Sequence, residues 1–364
     1  MTEWKEYKLG EIGTVITGKT PSARNPEDWG DNMLFITPSD YRNYRKYATN
    51  SERKLSKVGI DRFEKKILPA NSILVTCIGS DMGKVVMNWE SCITNQQINA
   101  IVPNTSVNNN FLYYRLISIY DTLRILGGDG TAVPIVNKSD FENIKIELPP
   151  LPEQIRIASI LSSLDDKIDL LHRENKTLEA MAETLFRQWF IEEAKEDWEE
   201  GKLGDMIEIK YGKDHKKLED GKIPVIGSGG IMRYANTSLY DKESVLIPRK
   251  GSLNNVMYIN KPFWTVDTMF YTKMLKPNTA KFVYHFMKGL DLANMNVGSA
   301  VPSMTTEVLN NIPIDIPPQD VFDKFENHVG NLYRKMEDNN KQIQTLIQQR
   351  DGLLPKLMSG EVKI

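Results

Sequence analysis

One stretch of the chain formally matches a nucleotide-binding loop, and little else has the spacing of a catalytic centre. Gly13-Thr14-Val15-Ile16-Thr17-Gly18-Lys19-Thr20 fits the pattern G-x-x-x-x-G-K-[ST], in which a flexible turn lays backbone amides around phosphates. Here the four intervening residues are all β-branched, which predicts a strand. Pro21 and Pro26 follow closely, so no regular helix can run on from the loop. The four histidines, at 172, 215, 285 and 328, have neither metal-ligand nor hydrolase-triad spacing. Cys77 and Cys92 are the only cysteines, too few for a disulfide framework or a thiolate metal site, and read as thiols in a reducing cytoplasm. These residues predict no catalytic site, no metal and no cofactor. The chain reads as a non-catalytic, cytoplasmic protein.

Asn260-Lys261-Pro262-Phe263 is similar to the Asn/Asp-Pro-Pro-Tyr/Phe loop of amino-methyltransferases, with Lys261 in place of the first proline. No glycine-rich turn for a methyl donor accompanies it, so Phe263 and Trp264 read as core. The net charge is −2, but its distribution is uneven. Arg42, Arg45, Lys46, Arg53, Lys54, Lys57, Arg62, Lys65 and Lys66 crowd one stretch of the first half. Lys210, Lys213, His215, Lys216 and Lys217 do so in the second. Basic clusters in both halves point to a phosphate-contacting surface.

The elements that must position these clusters are written twice. Trp4, Lys8, Leu9, Gly10, Gly18 and Lys19 recur 194 positions later as Trp198, Lys202, Leu203, Gly204, Gly212 and Lys213. Gly130-Thr131-Ala132-Val133-Pro134 returns as Gly298-Ser299-Ala300-Val301-Pro302. Asn143, Ile144, Ile146, Pro149 and Pro150 return at an offset of 168 as Asn311, Ile312, Ile314, Pro317 and Pro318. A repeat of about half the chain means two related domains and not a solenoid. Runs such as Thr14–Thr17, Ser72–Val75 and Ser244–Ile247 predict short strands, and Phe111–Leu126 and Phe282–Leu290 predict helices. Each domain is therefore mixed α+β.

Each half ends in a proline doublet and a heptad frame. Ile157, Leu161, Leu164, Ile168, Leu171, Asn175, Leu178, Ala182 and Leu185 form the first seam. Phe325, Val329, Leu332, Met336, Asn339, Ile343, Leu346, Arg350 and Leu353 form the second, each 168 residues after its counterpart. Such seams indicate coiled-coil helices, the first about 60 Å long from Pro152 to Ile191. Antiparallel pairing about a pseudo-two-fold axis would bring Asn175 against Asn339, two polar residues that fix register. The expected divisions are a globular domain at 1–148, a central helix at 149–192, a second globular domain at 193–316, and a distal helix with its tail at 317–364. No run of apolar residues is long enough to span a membrane.

The chain resembles the specificity subunit of type I restriction–modification systems. Gly18-Lys19-Thr20-Pro21-Ser22 through Trp29-Gly30 and Phe35-Ile36-Thr37-Pro38-Ser39-Asp40 are similar to one family opening, and Lys213–Lys217 with Asp220–Gly230 to another. Leu148–Gln154, Leu185–Phe190 and Arg350–Gly360 resemble its two spacer regions, although Pro317-Pro318-Gln319-Asp320 lacks the usual Pro-Glu-Gln. The resemblance implies two target-recognition domains, each reading half of a bipartite duplex site, held apart by an antiparallel coiled coil. It also implies two modification (methyltransferase) subunits that methylate adenine and restriction subunits that use ATP, with no membrane partner.

Loop residues in equivalent places are the expected DNA contacts. In the first domain these are Lys19, Thr20, Ser22, Arg24, Arg42, Arg45, Lys46, Ser80 and Lys84. In the second they are Lys213, His215, Lys216, Lys217, Ser228, Arg233, Arg249, Lys250, Ser252 and Asn254. Apolar helix positions such as Phe186, Trp189 and Phe190 are candidates for the methyltransferase interface, with core packing the equal alternative. Two other classes make different demands. A nucleotide- or S-adenosylmethionine-dependent enzyme needs a cofactor site, and a coiled-coil scaffold predicts no salt-sensitive duplex binding.

Overall fold

The computed structural model of the chain describes residues 4–41, 45–128, 135–295 and 303–362. The repeated segments 130–134 and 298–302 lie outside the described residues. Contacts divide the chain into two units, Met1–Arg173 with Asn339–Ile364, and Glu174–Asp338.

The first unit is built on a five-stranded sheet. Its strand order is Gly13–Thr17, Ile98–Pro103, Ile73–Thr76, Val85–Asn88 and Tyr47–Ala48, antiparallel but for the last pair. The β-branched run of the apparent nucleotide loop is thus a strand, paired from Gly13 to Thr17 with Pro103 back to Asn99. A second sheet joins Trp29–Gly30, Arg53–Leu55, Met33–Ile36 and, in parallel, Cys92–Thr94. The expected helix is present as Asn109–Ser118 and Tyr120–Leu126. The Asn108 side chain caps the first by accepting from the Phe111 amide at 3.0 Å. Phe111, Leu112, Ile157, Leu161 and Leu357 share one core, so helix, sheet and spacer close on each other within the unit.

The second unit repeats this plan. Its main sheet has the order Ile207–Tyr211, Met269–Met274, Ser244–Pro248 and Met257–Ile259. Its second sheet joins Gly230–Ala235, Asp220–Gly227 and, in parallel, Trp264–Thr265. The helix Ala280–Lys288 takes the place of Asn109–Ser118.

Both units close with a short two-stranded sheet, Lys5–Lys8 with Lys145–Leu148 and Glu199–Lys202 with Pro313–Ile316. This closure explains why those residues recur. Lys8 Nζ donates to Asn143 Oδ1 at 3.0 Å, and Lys202 Nζ to Asn311 Oδ1 at 2.9 Å. The amides of Leu9 and Leu203 bond the carbonyls of Ile144 and Ile312 at 3.0 and 2.9 Å. A repeated lysine, leucine and asparagine are one repeated clasp.

The central helix runs from Leu151 to Arg187 and finishes in a π-helical turn, Gln188–Glu192. The distal helix runs from Gln319 to Met358. Within each unit the two helix segments pair antiparallel. In the first unit Asp165 meets Arg350 at 2.8 Å, and Ile168 and Leu171 pack with Ile343. In the second unit Glu174 meets Lys335 at 3.6 Å and Trp189 packs on Phe325 and His328.

The seam is less apolar than its heptads imply. Asp165, one residue beyond Leu164, is 8% exposed and accepts from both Tyr114 Oη (2.6 Å) and Arg350 Nη1 (2.8 Å). Phe186 and Phe190 take the core alternative. They are buried in the second unit's aromatic core with Phe282, Phe322 and Phe325, because this segment faces that unit's helix Ala280–Lys288 and the distal helix and not solvent. Among the described residues no helix is long and apolar enough to cross a membrane.

Candidate nucleic-acid interface

One end of each main sheet gathers the loops that hold most of the expected contacts. In the first unit the strand Gly13–Thr17 ends where Gly18 and Lys19 donate their amides to Ile98 and Thr94 carbonyls at 3.3 and 2.9 Å. Gly18 is required there, because a Cβ would stand 2.2 Å from the Thr94 oxygen. Lys19 is left exposed, and Thr20 Oγ1 donates to Gln96 Oε1 at 2.7 Å. The loop after Ile73–Thr76 joins the same end, with the Cys77 amide on the Gln97 carbonyl at 2.7 Å. Gly79 has a φ of +89° there and Ser80 is exposed. Lys84 is tied to Asp81 at 2.6 Å. Ser22 and Arg24 are exposed on the neighbouring turn.

The basic stretch of the first half is mostly spent on the fold. Lys46 corrects the expectation of a phosphate contact. It is 8% exposed, donates Nζ to Ser162 Oγ at 2.8 Å, and lies near the Tyr47, Tyr113 and Tyr114 rings. Burial holds its ammonium below the usual range. Arg45 likewise bonds Asp169 of the central helix at 3.1 Å, so the pair anchors lobe to spacer within the unit. Arg53 stacks on Trp29, and Arg62 bonds Asp28 and Glu27. Arg42 lies outside the described residues.

The second unit brings its loops together in the same way. Gly212 and Lys213 donate their amides to the Met269 and Thr265 carbonyls at 3.0 and 2.9 Å, matching Gly18 and Lys19 bond for bond. A Cβ on Gly212 would meet the Val266 oxygen at 2.0 Å. Gly251, with φ +85°, matches Gly79, and Ser252 beside it is exposed. Ser228 is held against this loop, its carbonyl accepting from Asn255 Nδ2 at 2.7 Å. Lys213, Lys216, Lys217 and Lys250 are exposed, and Arg249 lies over the Tyr211 ring at 5.3 Å. His215 is half-buried with Nδ1 unpartnered.

Two expected contacts are committed elsewhere. Arg233 donates to the Leu218 carbonyl at 2.7 Å and pairs with Asp220 at 3.2 Å, which braces the hairpin. Asn254 bonds Asp291 and the Ala293 amide, which closes its own loop. Gln96, Gln97, Ile231 and Met232 at these sheet ends were missed. For the two glutamines the signal was available in the sequence, since the 171-residue spacing of Thr94 to Thr265 places their loop opposite that of Val266 to Thr268.

Among the described residues no group of His, Cys, Asp and Glu is arranged to hold a metal ion. Burial pushes the Cys77 and Cys92 thiols up to about 12, so neither is a ready nucleophile. Phe263, in the loop similar to that of methyltransferases, is fully buried core. The arrangement offers cations, hydroxyls and amides on two like platforms, which suits binding to a polyanion with readable edges.

Comparison with known proteins agrees. A family model for the type I restriction modification DNA specificity domain matches residues 1–180 and 195–344. The whole chain aligns at 27% identity with the type I restriction enzyme MjaIX specificity subunit of Methanocaldococcus jannaschii, covering 94% of that protein. The HindI specificity subunit of Haemophilus influenzae is 39% identical over 148 residues, 40% of this chain and 32% of that one. A crystal structure of an S subunit from M. genitalium superposes with a TM-score of 0.62 over 98% of this chain and 96% of the other at 20% identity, a shared fold.

Proposed function

This chain belongs to the type I restriction–modification DNA-specificity family, and on that premise we propose that its two lobes read the two halves of a bipartite DNA site while its helices set the separation. It is a non-catalytic specificity subunit, whose partners are DNA and the modification and restriction subunits of such a system. The lobes comprise residues 1–148 and 193–316, with spacers at 149–192 and 317–364. The two compact units part within both helices, because each lobe packs on the helix segments nearest it.

The observation that carries this reading is the bond-for-bond match of the Gly18-Lys19 and Gly212-Lys213 turns beside the paired Gly79 and Gly251 loops. Lys19, Lys213, Lys216, Lys217, Arg249 and Lys250 would hold phosphates and position each lobe. Thr20, Ser22, Ser80, Ser228 and Ser252 would reach base edges, where a hydroxyl can donate to or accept from either kind of edge. Arg24, Lys84 and His215 flank these groups. Asn175 and Asn339 would fix helix register, a role supported by the duplicated heptads and the burial of Asn339. Two methyltransferase subunits would dock on the spacers and methylate adenine, and restriction subunits using ATP would join them.

Binding of a duplex carrying the mapped methylation site should fall steeply with salt, as released counterions require. Salt-insensitive binding, or calorimetric binding of S-adenosylmethionine or ATP to the chain alone, would count against the assignment. Four residues inserted beside Asn175 lengthen the helix by about 6 Å. The gap between half-sites should then grow by one or two base pairs, and an unchanged gap would contradict a rigid ruler.

A further inference from the structure

The two platforms share backbone but not chemistry. The Asn95 amide bonds the Ile36 carbonyl at 3.2 Å, and the Val266 amide bonds the Ile226 carbonyl at 3.1 Å, so Ile36 and Ile226 are equivalent. Beyond Ile36 the chain turns into Thr37, Ser39 and Asp40, whose side chains bond one another at 2.7 and 2.8 Å. Beyond Ile226 it makes a tight hairpin through Ser228 and Gly229 to Gly230, at φ +110°, and returns through Ile231 and Met232. Those two side chains are 55% and 58% exposed, although apolar.

Their exposure is built in. A register shift at Val225/Ile226 leaves Met232 without a cross-strand partner. Met232 lies over Gly227, where an added Cβ would come 2.6 Å from its sulfur. The hairpin tip is fastened to the Gly251 loop through Ser228 and Asn255, so the apolar pair stands on the same end as Lys213, Arg249 and Lys250. A pair of exposed apolar side chains on a sheet end that also carries cations matches a partner with anionic rails and an apolar group between them. In the major groove that group is the C5-methyl of thymine, which only an A·T pair presents.

We propose that Ile231 and Met232 read thymine methyl groups in the half-site of the second lobe, whereas the first lobe reads its half-site through hydroxyls and amides. This rests on the function proposed above. The test uses the chain assembled with its modification subunits on its mapped duplex, the second lobe's half-site being identified by exchange of residues 1–148. Deoxyuridine replaces thymidine one position at a time, which removes the methyl and keeps every hydrogen-bonding group.

In the second half-site at least one replacement should weaken binding about fourfold, the effect of leaving one methyl-sized group unburied. Replacements in the first half-site should change nothing. I231S/M232S should weaken binding to the thymine duplex by a similar factor and abolish the response to deoxyuridine, with circular dichroism unchanged. Equal binding of thymine and deoxyuridine duplexes, a second half-site without thymine, or a variant that keeps the response would overturn the inference while leaving the function intact. A wild-type complex with no duplex preference at all would overturn the function itself.

Discussion

The place where each lobe's cap helix meets its spacer is the same in both units and is built from opposite materials. In the first, Tyr114 donates to Asp165, which also holds Arg350. In the second, the equivalent residues are His285 and Tyr333, bonded at 2.9 Å, and Ala182 stands where Arg350 would be, beside the stacked Phe186 ring. One joint is ionic and the other aromatic. Duplication thus preserves the backbone plan while the polar groups at the joint change, and in the second copy His285 Nδ1 is left buried without a partner.

The two joints should respond differently when a charge is stranded. Asp165→Ala leaves the Tyr114 hydroxyl and the Arg350 guanidinium without their shared acceptor. It should cost about 2–3 kcal/mol by denaturant unfolding, less than a fully enclosed pair because Arg350 is 30% exposed. A loss under about 0.5 kcal/mol would show that solvent, and not the joint, satisfies these groups.

Acid should single out the aromatic joint. Burial, with Lys288 nearby, pushes His285 down to about 4, only partly opposed by Glu179. The unfolded imidazole titrates near 6.5, so between there and about 4 the unfolded chain takes up a proton that the folded one refuses. Stability from this group is full above 6.5 and declines as pH falls, by about 3 kcal/mol at the lower limit. His285→Phe should flatten that part of the melting profile. A parallel profile would place the acid sensitivity elsewhere.

Smaller effects follow at the hydrogen-bond and surface levels. Tyr333→Phe removes one buried bond and should cost about 1–2 kcal/mol, measured as a shift in denaturant midpoint at constant slope. Lys19→Ala and Lys213→Ala should each leave stability unchanged and lower the salt slope of DNA binding by about one. Unequal slopes would mean that the matched turns do not meet the backbone alike.

Much of the fold was legible because it rests on local rules. The β-branched run Thr14–Thr17 had to be a strand, and the recurring lysine, leucine and asparagine were a clasp written twice. The long helices followed from their apolar period. The ionic and aromatic joints were not legible, since they depend on residues far apart in sequence, such as Tyr114 with Asp165 and Arg350. Lys46 misled for the same reason: a basic run names charges, but only tertiary packing shows that three tyrosines and Ser162 enclose this one. The departure from Pro-Glu-Gln in the second spacer also has a cause in packing. Gln154 bonds the Pro149 carbonyl and the Asn108 amide, whereas Phe322, 168 residues later, fills the aromatic core. The exposure of Ile231 and Met232 was not legible either, since it depends on a hairpin whose tip is fastened to the Gly251 loop through Ser228 and Asn255.

Independent readout by two like lobes is tested most directly by replacing residues 1–148 with the recognition lobe of a relative and mapping the adenines methylated in cells. One half-site should change while the other half and the gap between them stay as they were. A change in both halves, or in neither, would contradict the account.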